Sequence, residues 1–122
     1  MREMNERQFR FGDYGACLNP LIIAQLPYDG VGELTEHPDK ANCVTSCRTD
    51  EGWAAGYQIT TRSGHFTATV GKFSGPFDTQ FKAVEFIVKK MSRLLSLFSP
   101  DDREFVRRLC EKAYDNVQPT LF

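Results

Sequence analysis

The side chains best suited to chemistry in this 122-residue chain are four cysteines, two histidines and the adjacent carboxylates Asp101-Asp102. Cys43-x3-Cys47, with Cys17 and His37 upstream, offers four zinc-ligating atoms. Tetrahedral zinc usually takes two tight ligand pairs. The first pair is present and a second is not, so the cysteines read as plain reduced thiols and no metal or other cofactor is expected. Cys110 falls on a helical apolar stripe and reads as a small hydrophobe. A nucleophile needs a base within reach, and Cys43 or Cys47 with His65 is the pairing available by residue type. Nothing in the spacing sets that geometry. Asp101-Asp102 resembles a catalytic carboxylate pair, but it follows Ser99-Pro100 at a helix start, where two acids complement the helix dipole. Neither Gly-x4-Gly-Lys-Ser/Thr nor His-Glu-x2-His occurs. The expectation is a protein that is not an enzyme.

Charge narrows the partners. The formal net charge is −1 and the pI about 6.1, which excludes a strongly basic nucleic-acid-binding chain. The distribution is uneven: residues 1–52 carry a net of −4 and residues 82–112 a net of +3. Arg62, Lys89, Lys90, Arg93, Arg107 and Arg108 are the candidate phosphate-facing set. The plainer reading is two amphipathic helices with solvated charged faces. Apolar runs such as Leu21-Ile22-Ile23-Ala24 are far short of the roughly 20 residues that span a bilayer. The charged start, Met1 to Arg7, leads into no apolar segment and does not read as a secretory signal. A cytoplasmic protein without membrane contact, in which disulfides do not persist, is expected.

The elements that would position these residues are unequally written. Residues 1–52 are rich in turn formers and are expected to be irregular, with Leu21 to Leu26 either a short strand or a helical turn between Pro20 and Pro27. From Trp53 to Phe73, β-branched and aromatic residues crowd together around Ser63-Gly64, a hairpin signal. Strands at about 55–62 and 65–72 follow, with Val44 to Arg48 as a preceding strand. In residues 79–98, Val84, Ile87, Val88, Met91, Leu94, Leu95 and Phe98 keep helical spacing, with Asp78 or Thr79 as N-cap. Ser99 and Pro100 then open a second helix running to about Tyr114. The fold class is α+β: a small antiparallel three-stranded sheet packed against two C-terminal helices, below an irregular N-terminal half. Residues 1–116 form one domain and 117–122 an exposed tail. Open strand edges at 53–73 would permit a dimer.

The tail ends Gln118-Pro119-Thr120-Leu121-Phe122. Two large apolar residues on an exposed tail carry a solubility cost, so they either fold back on the core or dock on a partner. The spacing Gln-x-x-Leu-Phe resembles the peptide by which bacterial DNA polymerases, repair proteins and some plasmid or phage proteins dock on the sliding clamp. Gln118, Leu121 and Phe122 match, and Pro119 replaces the usual Leu. The resemblance implies an adaptor or regulator in bacterial, phage or plasmid DNA metabolism. Residues 57–91 also resemble the arm-type DNA-binding domains of phage integrases, and loosely double-stranded RNA-binding domains. That resemblance implies a sheet reading nucleic acid through Gln58, Thr60 and Arg62, or through Tyr57, Thr61, His65, Thr67 and Thr69. The sheet is short of cations for such a role. Trp53, Tyr57, Phe66 and Phe73 read as core residues rather than base-stacking platforms.

Overall fold

The dense β-forming run folds as consecutive antiparallel strands whose register fixes which residues meet the helices. A computed structural model describes residues 8–28, 42–72 and 74–118. It contains β1 (Leu21–Gln25), β2 (Cys43–Thr49), β3 (Gly52–Thr61), β4 (Gly64–Ala68), α1 (Gln80–Arg93) and α2 (Pro100–Val117). A 3-10 turn, Leu95–Leu97, joins the helices. The strands form one antiparallel sheet in the order β1-β2-β3-β4.

Pairing sets Val44 opposite Tyr57, Ser46 opposite Ala55, and Ile59 opposite Phe66. Because strand side chains alternate, this set shares one face. Val44, Ala55 and Ile59 there meet Val84, Ile87 and Met91 of α1 and Val106 and Leu109 of α2 in the main core. The opposite face carries Cys47 and Ala54. Phe9, Phe11, Cys17 and Val70 cover them as a second, smaller cluster. Gly56 is required by this layering: a Cβ there would lie 2.3 Å from the Ala68 carbonyl oxygen. Gly64, at φ +147°, closes the Arg62-Ser63 turn in a conformation that other residues rarely adopt.

Four strands, not three, make the sheet: β2 covers the expected strand at Val44 to Arg48, and β1, in the half expected to be irregular, is the addition. β1 was ambiguous in the sequence because it is five residues long and slips register between Ile22 and Ala24, which breaks the alternation. β4 stops at Ala68 instead of running to 72. The chain beyond it pairs with the N-terminal segment instead: Val70 accepts from Cys17 N–H (2.9 Å), and Lys72 N–H donates to Gly15 (2.9 Å). The first helix is shorter than the expected 79–98. A residue before proline is disfavoured in helical geometry. Ser99 is extended accordingly; the helix itself already ends at Arg93, and the chain tightens through the 3-10 turn before Phe98, whose ring lies 5.1 Å from Phe66. The second helix extends past Tyr114 to Val117.

The caps follow the sequence signals. Thr79 Oγ1 accepts from Lys82 N–H at 3.1 Å, and Ser99 Oγ from Asp102 N–H at 3.4 Å. No described helix is long and apolar enough to cross a membrane. Ile87 is 3% exposed at the helix–sheet contact. Ile87→Ala should therefore cost roughly 2–5 kcal/mol in urea denaturation. A curve superimposable on the parent's would contradict this packing.

Candidate functional site

The start of α2 holds more than dipole-complementing acids. Asp101 is exposed, but Asp102 is 3% exposed and faces a ring of donors. Its Oδ1 accepts from the Tyr28 hydroxyl at 2.5 Å. Its Oδ2 accepts from Ser63 N–H at 3.1 Å and from Ser63 Oγ–H at 2.5 Å. Ser63 Oγ in turn accepts from Ser99 N–H at 3.0 Å, and the Tyr28 oxygen from Arg62 N–H at 3.2 Å. Tyr28 follows β1, Arg62-Ser63 is the β3–β4 turn, and Ser99 caps α2, so three separate segments converge on one carboxylate.

Burial acts to raise the Asp102 pKa. The hydrogen bonds from Ser63, Tyr28 and Thr61 outweigh it and hold the carboxyl below its ordinary value near 3.8. Burial and the bond to this carboxylate raise the Tyr28 hydroxyl. The Tyr28 ring stands edge-on to Phe105 at 5.0 Å. A carboxylate already accepting these donors is a poor general base for a bound substrate. The pocket beside it, about 230 Å³, is lined in part by Tyr28, Ser99 and Phe105, with Arg62 and Arg108 exposed among the lining residues. Asp101 lines it too, so its chemistry is that of a structural tie in which two cations stand beside two carboxylates.

The other expected phosphate-facing residues are not gathered there. Lys89, Lys90 and Arg93 are exposed on α1, with Lys90 Nζ 5.3 Å from the Phe86 ring. Arg107 is exposed on α2 and pairs with Glu104 at 3.9 Å. On the sheet, Ile59 and Phe66 join the helix-side core, so the face away from the helices shows Gln58 and Thr60 from β3 with His65 and Thr67 from β4. This combines the two sets considered from sequence. Trp53, Tyr57 and Phe66 pack against the main core, while Phe73 lies outside the described residues.

The thiols are buried. Cys17 and Cys47 share the small cluster and a side-chain hydrogen bond. Burial, with Cys17 adding to it, pushes the Cys47 thiol up to about 12. Burial raises Cys43 as well, and burial followed by Glu111 pushes Cys110 up to about 11. Thiols so raised stay protonated at neutral pH, where the thiolate is the form that attacks or ligates. Exposed His65 has Nδ1 2.7 Å from Thr60 Oγ1, and Cys47 is paired with Cys17. Among the described residues no three His, Cys, Asp or Glu side chains stand close enough to hold a metal. His37 lies outside the described residues.

Gln118 closes α2. Its N–H donates to Tyr114 O at 3.1 Å, its side chain is exposed, and its backbone is extended at φ −61°, ψ 133°. Leu121 and Phe122 lie outside the described residues.

Sequence reasoning missed Tyr28 and Ser63 as partners of Asp102. They are 74 and 39 residues from it, and no local periodicity links them. Asn42 was missed too. It is 2% exposed at φ 54° and accepts Thr60 N–H at 2.6 Å. Asn is one of the few residues that tolerate that backbone.

No protein-family model matches this chain, and no curated protein or solved structure matches it.

Asp102→Asn turns one acceptor into a donor facing other donors, and should cost roughly 1–3 kcal/mol. The pH dependence has a fixed sign. The folded pKa lies below the unfolded one, so the carboxylate's contribution is complete above the ordinary value near 3.8 and is lost as pH falls through the folded value. Denaturation curves of Asp102→Asn should lack that share of the acid loss. An acid loss identical in parent and variant would contradict the assignment.

Proposed function

We propose that this chain is a small non-enzymatic adaptor or regulator in bacterial, phage or plasmid DNA metabolism, docking on the sliding clamp through Gln118, Leu121 and Phe122. The observation carrying this reading is the exit from α2. At Gln118 the backbone leaves the helix already extended, with the side chain exposed. Pro119 explains the conformation, since it bars a continued helix and pushes the preceding residue toward extended geometry. An extended backbone at Gln118 suits the start of a peptide that would bury two apolar anchors in a pocket while a polar side chain bonds at the rim. Pro119, in place of the usual Leu, lowers the conformational entropy lost on binding.

Titration of the protein into a bacterial sliding clamp tests the reading, beside a version lacking Leu121 and Phe122. Binding at about micromolar Kd or tighter, lost on truncation with an unchanged Tm, is expected. No binding, with Tm lowered by truncation, would make the pair part of the fold.

A second reading has one observation in its favour: Arg62 and Arg108 line a single pocket. A weak nucleic-acid-binding surface would use them for phosphate, with Lys89, Lys90, Arg93 and Arg107 adding charge from the helices. Replacing both pocket arginines by alanine should then reduce the slope of log K against log salt by about 2 on duplex DNA. An unchanged slope excludes this surface.

A further inference from the structure

The sheet has two outer edges, and they are finished differently. On β1, the carbonyls of Ile23 and Gln25 accept from Asn116 Nδ2 (2.6 Å) and Lys112 Nζ (3.1 Å) of α2. Those side chains occupy acceptors that an incoming strand would need, one of the ways proteins protect an edge. β4 is the other outer strand, and among the described residues no further strand pairs with it. The Arg62-Ser63 turn makes Thr61 and Gly64 the closing hydrogen-bonded pair, so bonded and non-bonded pairs alternate from there. His65 and Thr67 fall in non-bonded positions, with their backbone N–H and C=O groups directed away from β3. Thr60, opposite His65, agrees: its N–H donates at 2.6 Å to Asn42 Oδ1, on the β2 side. β4 itself, Gly-His-Phe-Thr-Ala, has no Lys, acid, proline or bulge to repel a neighbour.

We propose that β4 is the surface through which two copies of this chain associate, antiparallel about a two-fold axis at Phe66, into one eight-stranded sheet. The occupant is a second copy because, among the described residues, β4 is the one edge left open. Pairing β4 of one copy with β1 of the next would build a filament, and Lys112 and Asn116 obstruct it. The isologous arrangement uses the open edge of both copies and closes. Its register is self-complementary. His65 meets the partner's Thr67 and exchanges both backbone bonds with it, and the symmetric pair repeats this, giving four bonds. The two Phe66 residues form the intervening non-bonded pair, where side chains approach most closely. Each is half-buried, with Phe98 at 5.1 Å. At the ends of the strand Gly64 faces the partner's Ala68, so no like charges oppose along it.

Sedimentation velocity at about 100 µM, far above the concentrations of tight complexes, should give twice the 13.9 kDa chain mass. Thr67→Pro removes an N–H that makes no bond to the described residues, at an edge position where proline is tolerated. It should sediment as a monomer with the parent's circular dichroism. In the parent, NMR-detected exchange of the His65 and Thr67 amides should slow on concentration, a readout independent of how well the variant folds. A parent monomeric at that concentration would overturn the proposal. So would a folded Thr67→Pro dimer, or a parent dimer whose His65 and Thr67 amides exchange at the monomer's rate. Deleting Leu121 and Phe122 should leave the association unchanged, which separates it from the tail reading.

Discussion

The fold depends on a buried negative charge being fully served. Burying a carboxylate without partners costs far more than any one contact returns. Asp102 is therefore kept at the start of α2 only while Tyr28 and Ser63 donate to it. Those donors come from beyond β1 and from the β3–β4 turn, so serving the charge fixes the helix start against both parts of the sheet. Ser63 also accepts: its hydroxyl oxygen takes Ser99 N–H, joining the turn to the residue that caps α2. Helix capping and sheet closure thus meet at one side chain.

With that end tied, the apolar layers settle the rest. One sheet face meets the two helices, and half of the other is sealed by the segment around Phe9, Phe11 and Cys17. The second seal is where Cys17 and Cys47 end up, both buried, with the Cys47 thiol raised by that burial. α2 also lends Lys112 and Asn116 to the outer edge of β1. Among the described residues, the outer edge of β4 and the extended exit at Gln118 are left without a covering element. Both suit association with another molecule.

Local signals were legible where the physics is local. Ser99-Pro100-Asp101-Asp102 marked the start of α2, the spacing of Val84, Ile87 and Met91 marked the face of α1, and Ser63-Gly64 marked the hairpin. β1 was ambiguous because its bulge breaks the period that identifies a strand. The role of Asp102 was hidden for a different reason. Dipole complementarity explains an acid at that position completely, and its real partners are set by tertiary closure. The pairing of Cys17 with Cys47 was hidden likewise, since the spacing drew attention to Cys43 and Cys47, two positions of one strand. The basic residues were legible as a count but not as a surface: Arg62 and Arg108 share a pocket, while Arg107 turns to Glu104.

The central proposal is that docking resides in a short extended segment and not in the folded body. The most direct test is competition: a synthetic peptide spanning residues 114–122 is titrated against the sliding clamp with the whole protein bound. Displacement with a Kd within about tenfold of the protein's own, a difference of roughly 1.4 kcal/mol, is expected. A protein that stays bound at saturating peptide would contradict the proposal and move the contact onto the sheet or the helices.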